Sequence, residues 1–296
     1  MKKVLTIIPH ALVYLLFCIS CSLSPVSLAG NSVVHVISVG LNYEKSAVTT
    51  LYGAPHDASE IAACLYSIYS EKGLPVAVNL IVPDGGDGSA AGIEKLVRET
   101  VAGEEDLLVF YFSGHGSVDS KGFFLAADET EESPMYSRLY VESLIEAVKE
   151  KSCPSVLILD SCYSGSAEIG NTYTSTIEDA LKNIFEETPT LKVALICSSE
   201  PEQVSYMSSL LNEDGQIEKH SLFTMRVLEV LGWVHSSSAQ TEIKIDGEIK
   251  KVFGYQGRKV GKTSVRELYE ACLTGWESER QRPLTNRTSV PVLLIP

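Results

Sequence analysis

A histidine and a cysteine, each set in glycine-rich sequence, are the residues of this chain best suited to chemistry. His115 lies in the segment SGHG at residues 113–116, and Cys162 lies in the segment DSCYSG at residues 160–165. A thiol with an ordinary pKa of roughly 8.5 is mostly protonated at neutral pH. An imidazole that accepts this proton makes the sulfur a nucleophile and can later protonate a leaving amine. The two segments therefore predict a Cys/His dyad for nucleophilic catalysis.

Backbone N–H groups beside the predicted dyad are suited to stabilising the negative charge that develops on the substrate carbonyl oxygen. We predict that the N–H groups of Gly116 and Cys162 hold the developing oxyanion, a contribution of about 10²–10³ in rate per donor in other enzymes. The glycines also permit a sharp turn and the close approach of a substrate backbone. The alternative is a turn histidine and a buried cysteine that never meet. Two matching glycine-rich segments favour the dyad.

Both segments directly follow apolar runs that are typical of buried strands. Residues 107–112 have the sequence LLVFYF, and residues 155–159 have the sequence SVLIL. In sheets of parallel strands, ligands bind beyond the carboxyl ends of the strands. We expect the two strands to be neighbours, which would bring His115 and Cys162 together at one edge of the sheet.

The rest of the chain alternates strands with helices. Further strands are predicted at residues 33–39, 76–82 and 193–197, with a hairpin through 123–125 and an edge strand at 291–295. Helices are predicted at residues 57–69, 92–101, 139–148, 222–231 and 264–272, the last with a capping box at Ser264. Surface loops are predicted where glycine, serine and charge accumulate, at residues 84–90, 168–190 and 236–262. Repeated β-α-β units with continuously apolar strands indicate an α/β fold with a mainly parallel sheet and helices on both faces.

The first 29 residues have the layout of an export signal. Lys2 and Lys3 precede an apolar stretch at residues 11–19, and Ser27 and Ala29 are small residues suited to a cleavage site. The predicted organisation is a signal peptide at residues 1–29 and one domain at residues 30–296. This predicts a secreted protein, periplasmic or extracellular. A lipoprotein signal and an uncleaved membrane anchor are the alternatives for the same segment.

The composition is that of a folded, acidic protein. The 296 residues include 24 Lys+Arg and 38 Asp+Glu, a formal net charge of −14, and 45% of them are hydrophobic. An acidic chain is repelled by phosphate backbones, so nucleic acid is not an expected partner. The five cysteines beyond the signal form no C-x-x-C pair, which disfavours a zinc ribbon or a redox motif. Cys64 and Cys197 lie in apolar contexts and are predicted to be buried thiols.

The segments around His115 and Cys162 resemble those of the caspase/metacaspase superfamily of cysteine peptidases. The sequences SVGLNY at residues 38–43 and LYGAPHDA at residues 51–58 resemble the first strand and the following turn of metacaspase-like domains. The sequences ICSS and HSLFT, which begin at residues 196 and 220, resemble their small-subunit half. The resemblance implies the caspase–hemoglobinase fold, a three-layer sandwich with a mainly parallel, six-stranded sheet. It also implies that His115 and Cys162 are the catalytic dyad of a thiol protease, with Gly116 and Cys162 as its oxyanion hole.

The resemblance is closer to metacaspases than to caspases, because Asp160 precedes Cys162 where caspases have Gln-Ala-Cys. In metacaspases this aspartate and the one matching Asp57 line the pocket that receives Arg or Lys, and Ser113 matches a further pocket position. Two carboxylates in a partly desolvated cleft favour a cationic side chain over an acidic one. The expected partner is therefore a protein or peptide with a basic residue before the cut. Asp57 also fits a helix N-cap, a role compatible with the pocket.

Metals and other functions are secondary expectations. Calcium would suit the acidic residues Asp128, Glu129, Glu131 and Glu132. The calcium motif of metacaspases is not matched residue by residue, so we predict a solvated loop, no metal ligands and no required cofactor. Three alternatives to a peptidase stay open. They are an idle caspase-like scaffold, a signalling module anchored to a membrane, and another Cys/His hydrolase such as a transpeptidase.

Overall fold

The computed structural model describes residue 28 and residues 32–46, 48–83, 85–128, 136–162, 192–199, 203–211, 217–234, 240–245, 248–253, 255–256, 259–276, 280–285 and 292–295. Three sequence predictions lie outside these residues: nearly all of the signal peptide, the loop at 168–190, and the acidic residues 129–132. Among the described helices, none combines the length and the apolar character that a membrane span requires.

Seventeen strands and five helices, numbered in chain order, make up the described secondary structure. The strands are β1 (Val34–Gly40), β2 (Val76–Ile81), β3 (Leu107–Ser113), β4 (Gly116–Asp119), β5 (Gly122–Ala127), β6 (Ser137–Tyr140), β7 (Ser155–Asp160), β8 (Val193–Cys197), β9 (Met207–Leu211), β10 (Ile217–Ser221), β11 (Trp233–Val234), β12 (Gln240–Ile245), β13 (Glu248–Phe253), β14 (Tyr255–Gln256), β15 (Thr263–Ser264), β16 (Leu284–Thr285) and β17 (Leu293–Ile295). The helices are α1 (Ala54–Glu71), α2 (Ala90–Glu99), α3 (Val141–Lys149), α4 (Leu222–Val230) and α5 (Val265–Leu273).

Eight strands form the central sheet, in the order β13-β12-β2-β1-β3-β7-β8-β16. The six strands from β12 to β8 run parallel to one another. The outer strands β13 and β16 pair antiparallel with their neighbours. The mainly parallel sheet is thereby confirmed, and the expected six strands are extended by one antiparallel strand at each edge.

The sheet lies between two layers of helices. In β3, Leu107, Val109 and Tyr111 belong to a core shared with α1, α4 and α5 on one face. The residues between them belong to a second core, shared with α2 and α3 on the other face. Because β3 is covered on both faces, all its residues are buried and its sequence is a continuous apolar run. The three-layer sandwich expected from the resemblance is confirmed.

Two helix beginnings explain local sequence signals. The hydroxyl of Ser264 accepts a hydrogen bond from the N–H of Glu267, whose carboxylate accepts one from the N–H of Ser264. The capping box predicted at α5 is therefore confirmed. In α1 the N-cap is Gly53, and Asp57 lies inside the helix. The N-cap role predicted for Asp57 is wrong, which leaves its carboxylate for contacts outside the helix.

Three segments differ from the sequence predictions. The predicted loop at residues 236–262 contains the hairpin β12–β13, which joins the sheet beside β2 through the pair Ile245–Val78. The predicted strand at 291–295 is present as β17, but it pairs with β15 rather than at the edge of the central sheet. The antiparallel pair β9–β10 has no counterpart among the predicted strands. This pair matters for the site because β10 contacts α1.

Candidate active site

The carboxyl ends of β3 and β7 bring the two glycine-rich segments to the same edge of the sheet. The strands are parallel neighbours, and their last register pair is Ser113–Asp160. The pairing continues one step further, because the N–H of Gly114 donates to the carbonyl of Asp160 at 3.1 Å. His115 and Cys162 therefore each follow the last pair by two residues, at the position where ligands bind in such sheets.

The imidazole of His115 is oriented by a backbone carbonyl. Its Nε2 lies 2.6 Å from the carbonyl oxygen of Thr49. A carbonyl oxygen can only accept, so Nε2 carries the hydrogen, and Nδ1 is the basic nitrogen of the neutral ring. Burial lowers the pKa of His115, while the bond to Thr49 opposes this change. The ring is thus a neutral base at neutral pH, with a defined acceptor atom.

Tyr43 fixes the backbone of His115. Its hydroxyl accepts a hydrogen bond from the N–H of His115 at 2.8 Å and donates one to the carbonyl of Ala126 at 2.6 Å. The two ring centroids, of Tyr43 and His115, are 4.7 Å apart. Burial raises the pKa of Tyr43, so the hydroxyl keeps the proton that it donates. Tyr43 has a left-handed φ of 61°, which is uncommon for a bulky residue and indicates that its contacts fix this conformation.

Both glycines of the SGHG segment are required by close packing. A Cβ on Gly114 would lie 2.4 Å from the hydroxyl oxygen of Tyr43. A Cβ on Gly116 would lie 2.6 Å from the carbonyl oxygen of Cys162 and 2.8 Å from Oγ of Ser161. Side chains at these positions would separate the histidine segment from Tyr43 on one side and from the cysteine segment on the other.

The N–H of Gly116 is not used by the neighbouring strand β5. The carbonyl of His115 accepts a hydrogen bond from the N–H of Ala126 at 2.9 Å, which makes residues 115 and 126 a hydrogen-bonded pair. In an antiparallel ladder the next pair, Gly116–Leu125, is then of the non-hydrogen-bonded kind. The N–H of Gly116 therefore points away from β5 and is available to a ligand.

Cys162 is half-buried, in contrast to the other described cysteines. The burial predicted for Cys64 and Cys197 is confirmed, and the remaining two are also buried. These buried thiols are Cys64, Cys153, Cys197 and Cys272. Among the described cysteines, Cys162 thus has the most accessible thiol.

The thiol of Cys162 rests in a protonated state. Its Sγ donates a weak hydrogen bond to the carbonyl of Ser205 at 3.7 Å. Burial raises the pKa of Cys162, the hydrogen bond to Ser205 opposes this change, and the negative charge of Asp160 adds to it. Within the described residues, no hydrogen bond joins this thiol to His115. Cys162 and His115 are therefore a neutral thiol and a neutral imidazole, rather than an ion pair.

The carboxylate of Asp57 is completely buried and makes contacts with three residues. Nδ1 of His220 lies 2.9 Å from Oδ1, and the N–H of Ser221 donates to Oδ2 at 3.1 Å. The hydroxyl of Ser113 donates to Oδ2 at 3.3 Å. Burial raises the pKa of Asp57 to about 7, against the effect of the hydrogen bond with His220. The structure thus brings Asp57 and Ser113 together, as the resemblance implies, and adds His220.

Asp160 is 3% exposed and is bound by hydroxyl groups. Ser205 Oγ donates to Oδ1 at 2.8 Å, and Thr224 Oγ1 donates to Oδ2 at 2.5 Å. Burial raises the pKa of Asp160, and these hydroxyl bonds oppose the rise. In the described part of the chain, neither Asp160 nor Asp57 contacts a lysine or an arginine. The two carboxylates are therefore neighbours at the site without a strong cationic partner of their own.

Several residues of the site were not predicted from the sequence, and three of them, Tyr43, Thr49 and His220, contact His115 or Asp57. Tyr43 and His220 belong to segments that carry the family resemblance, SVGLNY and HSLFT, so a site search centred on those segments could find them. Thr49 acts through its backbone carbonyl, and the type of its side chain carries no signal for this role.

Comparisons with known proteins point to one family. The family model described as caspase domain matches residues 36–288. Among solved structures, the chain is similar to a protein from Geobacter sulfurreducens, at 15% identity and a TM-score of 0.53 over 88% of this chain and 99% of that chain. It is also similar to caspase-1 from Spodoptera frugiperda, at 13% identity and a TM-score of 0.52 over 90% of each chain. At these identities the likeness concerns the fold alone. A search of the curated proteins finds no match.

Proposed function

The chain belongs to the caspase-domain family, whose members are cysteine peptidases, and from this membership we propose that it is an endopeptidase that cuts after Arg or Lys. The observation that carries the proposal is the orientation of His115. Its Nε2–H is held by the carbonyl of Thr49, which leaves Nδ1 as a base at the strand ends where Cys162 lies.

The proposed reaction begins from the neutral dyad. As Sγ of Cys162 forms a bond to the substrate carbonyl carbon, its proton passes to Nδ1 of His115. The tetrahedral intermediate collapses when the carbon–nitrogen bond breaks, and the same proton passes from His115 to the leaving amine. A water molecule then attacks the thioester, gives a proton to His115, and releases the carboxyl product as the thiol is re-formed.

Charge on the carbonyl oxygen would be stabilised by backbone donors. The orientation of the Gly116 N–H, away from β5, supports its role as one donor of the oxyanion hole. The N–H of Cys162 is the proposed second donor. Gly116 and Cys162 follow Ser113 and Asp160, which are the last paired residues of β3 and β7, so both lie just beyond the same end of the sheet.

The preference for a basic side chain is supported by the paired carboxylates. Asp57 and Asp160 are close neighbours, because the charge of Asp160 raises the pKa of Asp57 and the charges of both raise the pKa of Tyr111. These buried carboxyl groups contact no lysine or arginine among the described residues, and a guanidinium or ammonium group would stabilise their ionised forms. An acidic side chain would add a third negative charge and would be excluded.

The activity can be tested with fluorogenic peptides that end in Arg, Lys or Asp, with and without calcium. We expect the wild-type chain to hydrolyse the Arg and Lys peptides, and Cys162→Ala to hydrolyse none. Cys153→Ala is the matched control, because Cys153 is a buried thiol that precedes β7, at the end remote from Cys162. Equal signals from wild type and Cys162→Ala on every peptide would indicate an idle scaffold. A rate that is the same with calcium and with a chelator would support a cofactor-free enzyme.

The pocket assignment has its own test. We expect Asp160→Asn to lower kcat/KM for the Arg peptide by about 10- to 100-fold, since a hydrogen bond to a charged group contributes about 1.5–3 kcal/mol. Asp119→Asn is the control, because that carboxylate lies on β4 and pairs with Arg138. Faster hydrolysis of the Asp peptide than of the Arg peptide by the wild-type enzyme would rule out the basic pocket.

Export is proposed from the sequence of residues 1–29. A purified native protein whose amino terminus is Gly30 would support a cleaved signal peptide. A lipid-modified Cys21 would support the lipoprotein alternative, and an intact terminus would support an anchor.

A further inference from the structure

Two histidines and a glutamate lie together behind the proposed pocket. His56, Glu218 and His220 each offer a ligand atom, and these three atoms all lie within 4.8 Å of one another. His56 is exposed in the first turn of α1, whereas Glu218 and His220 lie on the same face of β10 because they are two residues apart. The contact between α1 and β10 therefore assembles the group from parts of the chain more than 160 residues apart in sequence.

A hydrogen bond with a carboxylate orients His220, as is common for histidines that bind a metal. Its Nδ1 lies 2.9 Å from Oδ1 of Asp57, so the buried carboxylate accepts the Nδ1 hydrogen and turns Nε2 to the opposite side. On that side Oε2 of Glu218 lies 3.9 Å from Nε2. The ring of His56 approaches at a centroid distance of 6.0 Å, with the two rings inclined at 72°. A carboxylate that binds one nitrogen of a histidine while the other faces a metal is a recurrent arrangement in zinc sites.

We propose that His56, Glu218 and His220 bind a zinc ion. Two imidazoles and one carboxylate form a donor set that zinc uses, at bond lengths of about 2.0–2.2 Å, with a fourth position left for water. Calcium and magnesium prefer oxygen ligands alone, so they should compete poorly. His220 is fixed by Asp57, so the remaining distance would be closed by rotation of the exposed side chain of His56.

Zinc at this position would act on the pocket through Asp57. Only the imidazole ring of His220 would separate the ion from that carboxylate. The two positive charges of the ion would offset the negative charge of Asp57, which attracts a cationic substrate side chain. Bound zinc is therefore expected to weaken the binding of Arg- or Lys-ending peptides. This consequence rests on the proposed function, whereas zinc binding itself does not.

Zinc affinity can be measured on the full chain carrying Cys162→Ala, by competition with a chromophoric chelator. This background removes the accessible thiol, which would otherwise be a second zinc ligand. We expect one zinc per chain, and we expect His56→Ala and Glu218→Gln to weaken binding by at least about 100-fold, since loss of an outer partner alone costs about 10- to 100-fold. Glu248→Gln, an exposed glutamate on β13, should bind as the parent does.

The zinc affinities of the parent and of its His56→Ala variant decide whether the proposed site exists. Because His56 is exposed, His56→Ala should keep the unfolding temperature of its parent, and equal zinc affinity in these two proteins would overturn the site. Absence of zinc binding by the parent would overturn it as well. In a second measurement, saturating zinc should lower the affinity of Cys162→Ala for an Arg-ending peptide, but not that of Cys162→Ala/His56→Ala. If zinc binds and peptide affinity does not change, the zinc site stands and its link to a basic pocket fails.

Discussion

Gly116→Ala places the smallest side chain at a close contact between the histidine segment and the cysteine segment. The added Cβ would lie 2.6 Å from the carbonyl oxygen of Cys162, a distance that real Cβ atoms do not adopt. The atom that must move is backbone, so the cysteine segment and the histidine segment are forced apart. The same displacement moves the Gly116 N–H, our proposed oxyanion donor, away from the substrate carbonyl.

The expected effects on stability and on catalysis differ in size. Overpacking by one methyl group costs about 1–3 kcal/mol, which lowers the unfolding temperature of a chain of this size by roughly 2–4 °C for each kcal/mol. Misplacement of one oxyanion donor costs about 10²–10³ in kcat, or about 2.7–4 kcal/mol of transition-state stabilisation. KM for an Arg peptide should change little, because the donor acts mainly in the transition state.

The assay compares Gly116→Ala with Gly261→Ala, in which the added Cβ would meet no atom within 4 Å. Both proteins are checked for folding by thermal unfolding and for thiol access by the rate of alkylation of Cys162. We expect Gly116→Ala to lose at least about 100-fold in kcat while its thiol still reacts with iodoacetamide. A folded Gly116→Ala enzyme with wild-type kcat would refute both the packing argument and the oxyanion assignment.

Three further predictions concern the histidine and a helix terminus. Tyr43→Phe removes the hydroxyl between the N–H of His115 and a buried carbonyl, so it should cost about 1–3 kcal/mol for each unpaired group in urea unfolding, and it should lower kcat more than it changes KM. A loss of stability with unchanged kcat would show that Tyr43 does not position the base. Because the base must be neutral and burial lowers its pKa, kcat at saturating Arg peptide should decline with acid only below the usual histidine pKa of about 6.5. In contrast, kcat/KM should begin to decline nearer pH 7, where Asp57 of the proposed pocket takes up a proton. A decline of kcat centred above 6.5 would contradict the neutral base. Ser264→Ala removes the cap of α5 and should cost about 1 kcal/mol without a change in kcat/KM, and an unchanged unfolding midpoint would argue against the capping box.

The sequence is most informative where local patterns and chemistry coincide. The apolar runs of β3 and β7 and the glycines after them were enough to place His115 and Cys162 at one sheet edge, because parallel neighbours end together. The capping box at Ser264 is equally local, since both of its bonds join residues three apart. The three-layer arrangement follows from strands without alternation, which need cover on both faces.

What escaped prediction depends on contacts between distant residues or on the main chain. The partner of Asp57 is His220, which is 163 residues away, so no local pattern reveals it. Thr49 acts through a carbonyl that every residue possesses. The N-cap expected at Asp57 was wrong because the helix begins three residues earlier, at Ala54. In each case the tertiary fold, rather than local propensity, determines the role.

The charged residues of the β12–β13 hairpin affect self-association of the protein through the edge of its sheet. Strand β13 is the outermost strand, and such a strand presents backbone groups to which another chain could add. It carries Glu248, Lys250 and Lys251, all exposed, around Ile249, which is 71% exposed. Charges of this kind oppose the stacking of one edge on another. The same residues that give this segment the composition of a loop thus protect the folded protein against aggregation through its open edge.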